Sequence, residues 1–161
     1  MFKNTIFRRM TALVLTLALA AAAALPGLAV YPMPIQTASE TEAVYLFNAD
    51  TGKTILNQNA DQQQYVASLT KLMTALLLLE SGKDLNGEVT VPTALTQEFR
   101  DIQNANGTTM GLRIGETVRR IDLLNAMLIV SANDAASVIA YDVGGSVLDF
   151  VKQMNARAQE L

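Results

Sequence analysis

Apolar positions along the chain change spacing from segment to segment, and each change marks an element. Residues 1–29 open with basic Lys3, Arg8 and Arg9 and continue as an unbroken, alanine-rich apolar run over 12–25. Gly27-Leu28-Ala29 then puts small residues where a signal peptidase cuts, so 1–29 reads as a secretory signal peptide. The alternative is an uncleaved membrane anchor, which the modest hydrophobicity of the run disfavours. Residues 30–42, with Pro32, Pro34 and small polar side chains, read as a linker. Ala43-Val44-Tyr45-Leu46-Phe47-Asn48 reads as a buried strand and Asp50-Thr51-Gly52 as a turn. Lys53-Thr54-Ile55-Leu56 alternates as a second strand, which makes a β-hairpin.

The period then changes to that of a helix. Leu69, Leu72, Met73, Leu76 and Leu77 fall on an i, i+3, i+4, i+7, i+8 stripe, predicting a helix that buries this face and stops near Ser81-Gly82. Between 86 and 120 the pattern is broken. It predicts a short strand at Val89-Thr90-Val91, a helical turn over 95–99, a turn at Asn104-Ala105-Asn106-Gly107 and a small hairpin over 110–118. A helix is predicted over 121–130 with Leu123, Leu124, Met127 and Leu128 as its core face. Another follows over 135–143, stopped by Gly144-Gly145, and a last one starts after Ser146 as N-cap and is still helical at Leu161. One hairpin followed by a mostly helical stretch makes the fold class mixed, α/β (α+β), with one domain over 43–161.

Composition narrows the chemistry. The chain has 161 residues, half of them apolar, enough for one domain with a core. Loss of 1–29 removes three of the twelve basic residues and no acidic one, leaving an acidic chain without a basic run, so nucleic acid is not an expected partner. There is no cysteine, hence no disulfide, and no histidine. Ser-His-Asp and Cys-His catalysis and imidazole metal sites are therefore excluded within the chain, and neither cofactor nor metal is expected. A serine nucleophile here must give its proton to some other base.

Ser68 and Lys71 offer that pairing. Three residues apart at a helix start, their side chains share a face within hydrogen-bond reach. A serine hydroxyl attacks only as it loses its proton, and a lysine whose pKa is depressed by burial can accept it. The backbone N–H at a helix N-terminus also favours a developing oxyanion. The plainer reading is a serine cap followed by a surface lysine, a spacing common by chance. Ser131-Ala132-Asn133 forms a second candidate: Ser131 can relay a proton to a leaving group and Asn133 can bind a substrate amide. Its plainer reading is an interhelical turn with capping residues. Asp134 reads as the N-cap of the next helix, and Asp50 and Gly52 as turn residues.

Taken together, Asn48-Ala49-Asp50-Thr51-Gly52-Lys53, Ala67-Ser68-Leu69-Thr70-Lys71-Leu72-Met73-Thr74, Met110-Gly111-Leu112 and Ile129-Val130-Ser131-Ala132-Asn133-Asp134-Ala135-Ala136 resemble the D-alanyl-D-alanine carboxypeptidases, within the penicillin-binding protein and β-lactamase superfamily. The resemblance runs over about 42–161. It implies a β-lactamase/transpeptidase-like fold and acylation of Ser68 by the D-Ala-D-Ala end of a peptidoglycan stem peptide. It also implies Lys71 as base, with Ser131 and Asn133 completing the cleft, release by water, and β-lactams as acylating mimics. The family's third motif, Lys-Thr/Ser-Gly on a strand forming one wall of the cleft, does not occur: Lys53-Thr54-Ile55 and Ser81-Gly82-Lys83 do not qualify.

The expectation is therefore the N-terminal part of such an enzyme, its remaining sheet strands missing, the hairpin edge and one helix face uncovered, and little turnover from 30–161 alone. A serine β-lactamase, or a catalytically inactive product that binds peptidoglycan or β-lactam, are the alternatives. The expected location is extracytoplasmic, with membrane association of the full-length protein left open.

Overall fold

The structure, a computed structural model, describes residues 41–161. The expected signal peptide and all but the end of the expected linker lie outside the described residues. Backbone contacts divide the chain into two units, Met1–Gln62 and Gln63–Leu161.

In the described part of the first unit, β1 (Val44–Asn48) and β2 (Lys53–Gln58) form the predicted antiparallel hairpin. Asn48 closes the turn twice: its carbonyl accepts from Gly52 N–H at 3.0 Å and its Oδ1 from Thr51 N–H at 2.9 Å. Gly52 takes φ +67°, a conformation glycine adopts without Cβ strain. A bulge between Leu46 and Phe47 shifts the register, so Leu46 faces Leu56 while Phe47 faces Thr54. The strand is not buried, contrary to expectation. Tyr45, Phe47 and Ile55 are all about half exposed, because this sheet has only two strands. Tyr45 and Phe47 stack on each other instead, ring centroids 6.5 Å apart.

The second unit is built around one central helix. Its elements are a 3-10 turn (Ala67–Leu69), α1 (Thr70–Glu80), β3 (Glu88–Thr90), a second 3-10 turn (Thr93–Leu95), α2 (Thr96–Asn104), β4 (Thr117–Arg119), α3 (Arg120–Ile129), α4 (Asn133–Gly144) and α5 (Val147–Glu160). Helix α4 packs against α1, α2, α3 and α5. Small residues at its N-cap and along it, Ala132, Ala135 and Ala140, allow close approach, and Val138 and Ile139 fill the spaces between. Leu78 from α1, Leu123 and Met127 from α3, and Val91 and Leu95 complete the core.

Gly144 is required where α4 meets α5. A Cβ there would lie 2.6 Å from Phe150 Cβ and 2.8 Å from the Phe150 backbone. The next residue, Gly145, takes the left-handed cap at φ +78°. Ser146 caps α5 as predicted, accepting from Asp149 N–H at 3.0 Å.

Three expectations change. The buried stripe of α1 is Thr74, Ala75 and Leu78, with Lys71 one turn before it, while Leu69 and Leu72 are 65 % and 61 % exposed. The helix is apolar on nearly every side, so periodicity did not distinguish the face that meets α4. Leu128 of α3 is likewise half exposed. The predicted hairpin over 110–118 does not form. β4 pairs antiparallel with β3, Val118 opposite Val89, while Met110, Gly111 and Leu112 run in irregular backbone held by a side chain.

Among the described residues no helix is long and apolar enough to cross a membrane, and no group of three or more acidic, His or Cys side chains could hold a metal ion.

Candidate active site

Two chain segments meet at the N-terminal end of α1. The first enters through Ala67, a non-glycine residue at φ +46°, and turns through the 3-10 segment into α1. This bend leaves Ser68 exposed at the surface and places Lys71 in the first helical turn, half-buried. The second is the bend from α3 to α4. Ser131 takes φ +60° there, a left-handed position that glycine usually fills after a helix, and Ala132 N–H returns to Ala126 O at 3.2 Å. Asn133 then begins α4.

The four residues singled out from sequence form one hydrogen-bonded group. Ser68 Oγ lies 2.8 Å from Ser131 Oγ. Lys71 Nζ donates to Asn133 Oδ1 at 2.8 Å and reaches Ser68 Oγ at 3.4 Å. Burial pushes the Lys71 ammonium below the usual lysine range, the direction needed for an amine to take a proton from an alcohol. Asn133 is fixed from behind: its Nδ2 and its backbone N–H both donate to Thr108 O, at 3.0 and 2.8 Å. That sets the amide orientation and leaves Oδ1 facing the lysine.

Asp134 is not the expected cap. The N-cap of α4 is Ala132, without a side-chain bond. The Asp134 carboxylate is 2 % exposed and accepts four backbone N–H groups. Oδ1 takes Met110 at 3.0 Å and Ala135 at 2.9 Å, and Oδ2 takes Gly111 and Leu112, each at 3.0 Å. It thereby anchors the loop that carries Thr108 and, through Thr108, Asn133. The Met110-Gly111-Leu112 word does not by itself reveal Asp134 as its partner. The Asn-Asp step at 133–134 was the available signal. Nothing in the sequence pointed to the Thr108 carbonyl, because any residue supplies one.

Two cavities of about 410 Å³ each adjoin Ser68 and Lys71. One is bordered by Leu69, Leu72, Leu128 and Ser131, toward α3. The other lies between α1, α2 and α4 and is bordered by Thr70, Thr74, Glu98, Asn133 and Ser137. Glu98 was also missed by sequence reasoning. It sits on a strongly polar helix where no motif marks it.

Among solved structures similar to this chain are a DD-transpeptidase and a penicillin-binding protein. A Streptomyces DD-transpeptidase matches with a TM-score of 0.64 at 30 % identity, over 73 % of this chain and 47 % of that one. Penicillin binding protein 5 from Haemophilus influenzae matches with a TM-score of 0.57 at 32 % identity, over 68 % and 32 % of the two chains. Within that class, the chain belongs to the D-alanyl-D-alanine carboxypeptidase family, whose model matches residues 32–161. It is 33 % identical over 129 residues to the D-alanyl-D-alanine carboxypeptidase DacF of Bacillus subtilis, covering 78 % of this chain and 32 % of that protein. It is 34 % identical over 129 residues to a D-alanyl-D-alanine endopeptidase of Pseudomonas aeruginosa, covering 80 % and 40 %. The chain thus spans from about a third to about half of the length of these proteins.

Proposed function

We propose that this chain carries the nucleophile half of a serine-type D-Ala-D-Ala carboxypeptidase acting outside the cytoplasm on peptidoglycan stem peptides. The observation that carries the reading is the position of Lys71 Nζ between Ser68 Oγ and Asn133 Oδ1, with Ser131 Oγ against Ser68 Oγ. In a chain without histidine, Lys71 is the base that this geometry offers to Ser68.

In the proposed reaction Ser68 Oγ attacks the carbonyl of the penultimate D-alanine as its proton passes to Lys71. Ser131 lies where it can hand a proton on to the departing D-alanine nitrogen. Asn133, through its amide, helps hold the peptide. The acyl-enzyme on Ser68 is then hydrolysed, and a β-lactam acylates the same oxygen. A second reading, favoured by the endopeptidase named among the relatives, is that the same acyl chemistry cuts a cross-link instead of a terminal residue.

The test is acylation of Ser68 in the intact gene product by a fluorescent penicillin, together with D-alanine release from a tripeptide ending in D-Ala-D-Ala. Ser68→Ala should lose both, and Lys71→Ala should slow acylation by about 10²–10⁴-fold. Labelling that survives Ser68→Ala would overturn the assignment. Release of D-alanine separates the carboxypeptidase from an enzyme that hydrolyses only penicillin, from one that cuts only a cross-linked dimer, and from a binder that turns nothing over.

A further inference from the structure

The proposed reaction uses Lys71 to form the acyl-enzyme and leaves open which group activates the water that ends it. The cavity between α1, α2 and α4 contains a carboxylate with no assigned task. Glu98 borders the same space as Ser68, Lys71 and Asn133. Ser137, buried on α4 at 7 % exposure, donates its hydroxyl to Glu98 Oε1 at 3.2 Å. That bond uses one carboxylate oxygen, and Glu98 takes part in no ion pair among the described residues. The other acidic side chain on α2, Asp101, is engaged by Gln97 at 2.9 Å. A space of about 410 Å³ holds several waters at about 30 Å³ each, and the Thr70, Thr74 and Ser137 hydroxyls give it a polar lining.

We infer that Glu98 is the general base that activates water for hydrolysis of the acyl-Ser68 intermediate. The inference rests on the acyl-enzyme reading above. The two cavities meet at Ser68 from different flanks, so a leaving group can depart along Ser131 while water approaches from α2. Glu98 takes one proton from a water molecule as the water oxygen bonds to the acyl carbon. The carbon–Oγ bond then breaks, and Ser68 Oγ takes up a proton delivered through Lys71, which Glu98 replaces. One water is consumed, the free acid is released, and Ser68, Lys71 and Glu98 return to their starting states. Ser137 holds one oxygen of the Glu98 carboxylate, at the border of the cavity.

The experiment follows acyl-Ser68 in the intact gene product by fluorescent penicillin and intact mass, reading formation and release separately. Glu98→Gln should form the adduct at close to the parent rate and lose it about a hundredfold more slowly. With the D-Ala-D-Ala peptide its kcat and KM should fall together as acyl-enzyme accumulates, and Glu98→Asp should recover part of the release. Release unchanged in Glu98→Gln, or formation and release slowed alike, would overturn the inference while leaving the function intact. Absence of any adduct on Ser68 in the parent protein would overturn both.

Discussion

Replacing Asp134 by asparagine tests how the site is held in shape. The carboxylate is 2 % exposed and accepts four backbone N–H groups, two on each oxygen. Asparagine keeps one acceptor oxygen and puts an NH₂ where the other oxygen stood. Either orientation removes two hydrogen bonds to a charged acceptor and sets donor against donor in a buried site. A hydrogen bond to a charged group contributes about 1.5–3 kcal/mol, and an unsatisfied buried donor costs about 1–3 kcal/mol. Part of the strain relaxes by movement of the 108–112 loop, so the expected loss is about 3–5 kcal/mol, a large share of the 5–15 kcal/mol typical of a folded domain. Urea unfolding followed by circular dichroism reads it as a lower midpoint at unchanged slope.

The same substitution should slow acylation of Ser68 under conditions where the variant is still folded, because the moving loop takes Thr108 O away from Asn133 and frees its amide. A destabilisation below about 1 kcal/mol, the scale of an ordinary substitution, would refute the claim that Asp134 anchors the loop. Full destabilisation with parent-like acylation would refute the link from the loop to Asn133.

Other consequences follow from individual side chains. Leu78 is fully buried and Leu72 is 61 % exposed, so Leu78→Ala should cost about 2–5 kcal/mol and Leu72→Ala less than about 0.5 kcal/mol in the same urea assay. A reversed order would restore the stripe expected from sequence. Asp142 meets Arg120 Nε at 2.7 Å and Lys83 Nζ at 3.4 Å, with the Arg120 and Asp142 side chains 14 % and 11 % exposed. Burial raises the Asp142 carboxyl, but the Arg120 hydrogen bonds and charge, with Lys83 behind them, hold it below the usual carboxylate range.

The resulting stability is present above the unfolded aspartate value of about 3.9 and is lost as pH falls through the folded value. Asp142→Asn should cost about 2–3 kcal/mol near neutrality, between surface and fully buried pairs, and should flatten that acid loss in a pH series of melting curves. The Lys71 amine must be free to take the Ser68 proton, and burial lowers its pKa. The acylation rate should therefore rise with pH, with a midpoint below the usual lysine range. A midpoint at or above that range would contradict the burial.

What the sequence shows and hides about this site follows from which interactions leave a local trace. Ser68 and Lys71 were legible because their spacing on one helix is itself the geometry. Ser131 and Asn133 are legible as a word that the family resemblance pairs with Ser68. Elements with a marked end were also readable, such as the hairpin turn at Gly52, the left-handed stops at Gly82 and Gly145, and the Ser146 cap. Where the information is tertiary, the local pattern misled. Helix α1 is apolar on most sides, so which leucines are covered depends on where α4 lies, and α4 meets Thr74, Ala75 and Leu78.

Asp134 looked like a cap because aspartate at a helix start usually is one. Three of its four partners are backbone groups more than twenty residues away. The same holds for the hairpin expected over 110–118, whose first residues are claimed by that carboxylate and whose last strand is claimed by β3. Glu98 joins the cavity only because α2 packs on α4. The proposed nucleophile and its base are therefore specified within one helical turn, whereas the parts that fix the amide of Asn133 and place the Glu98 carboxylate on the cavity that Ser68 borders are specified only by the packing of α2 and the 108–112 loop on α4. Substitutions in those parts should be able to change hydrolysis of the acyl-enzyme while leaving the Ser68–Lys71 turn, and hence its capture by penicillin, in place.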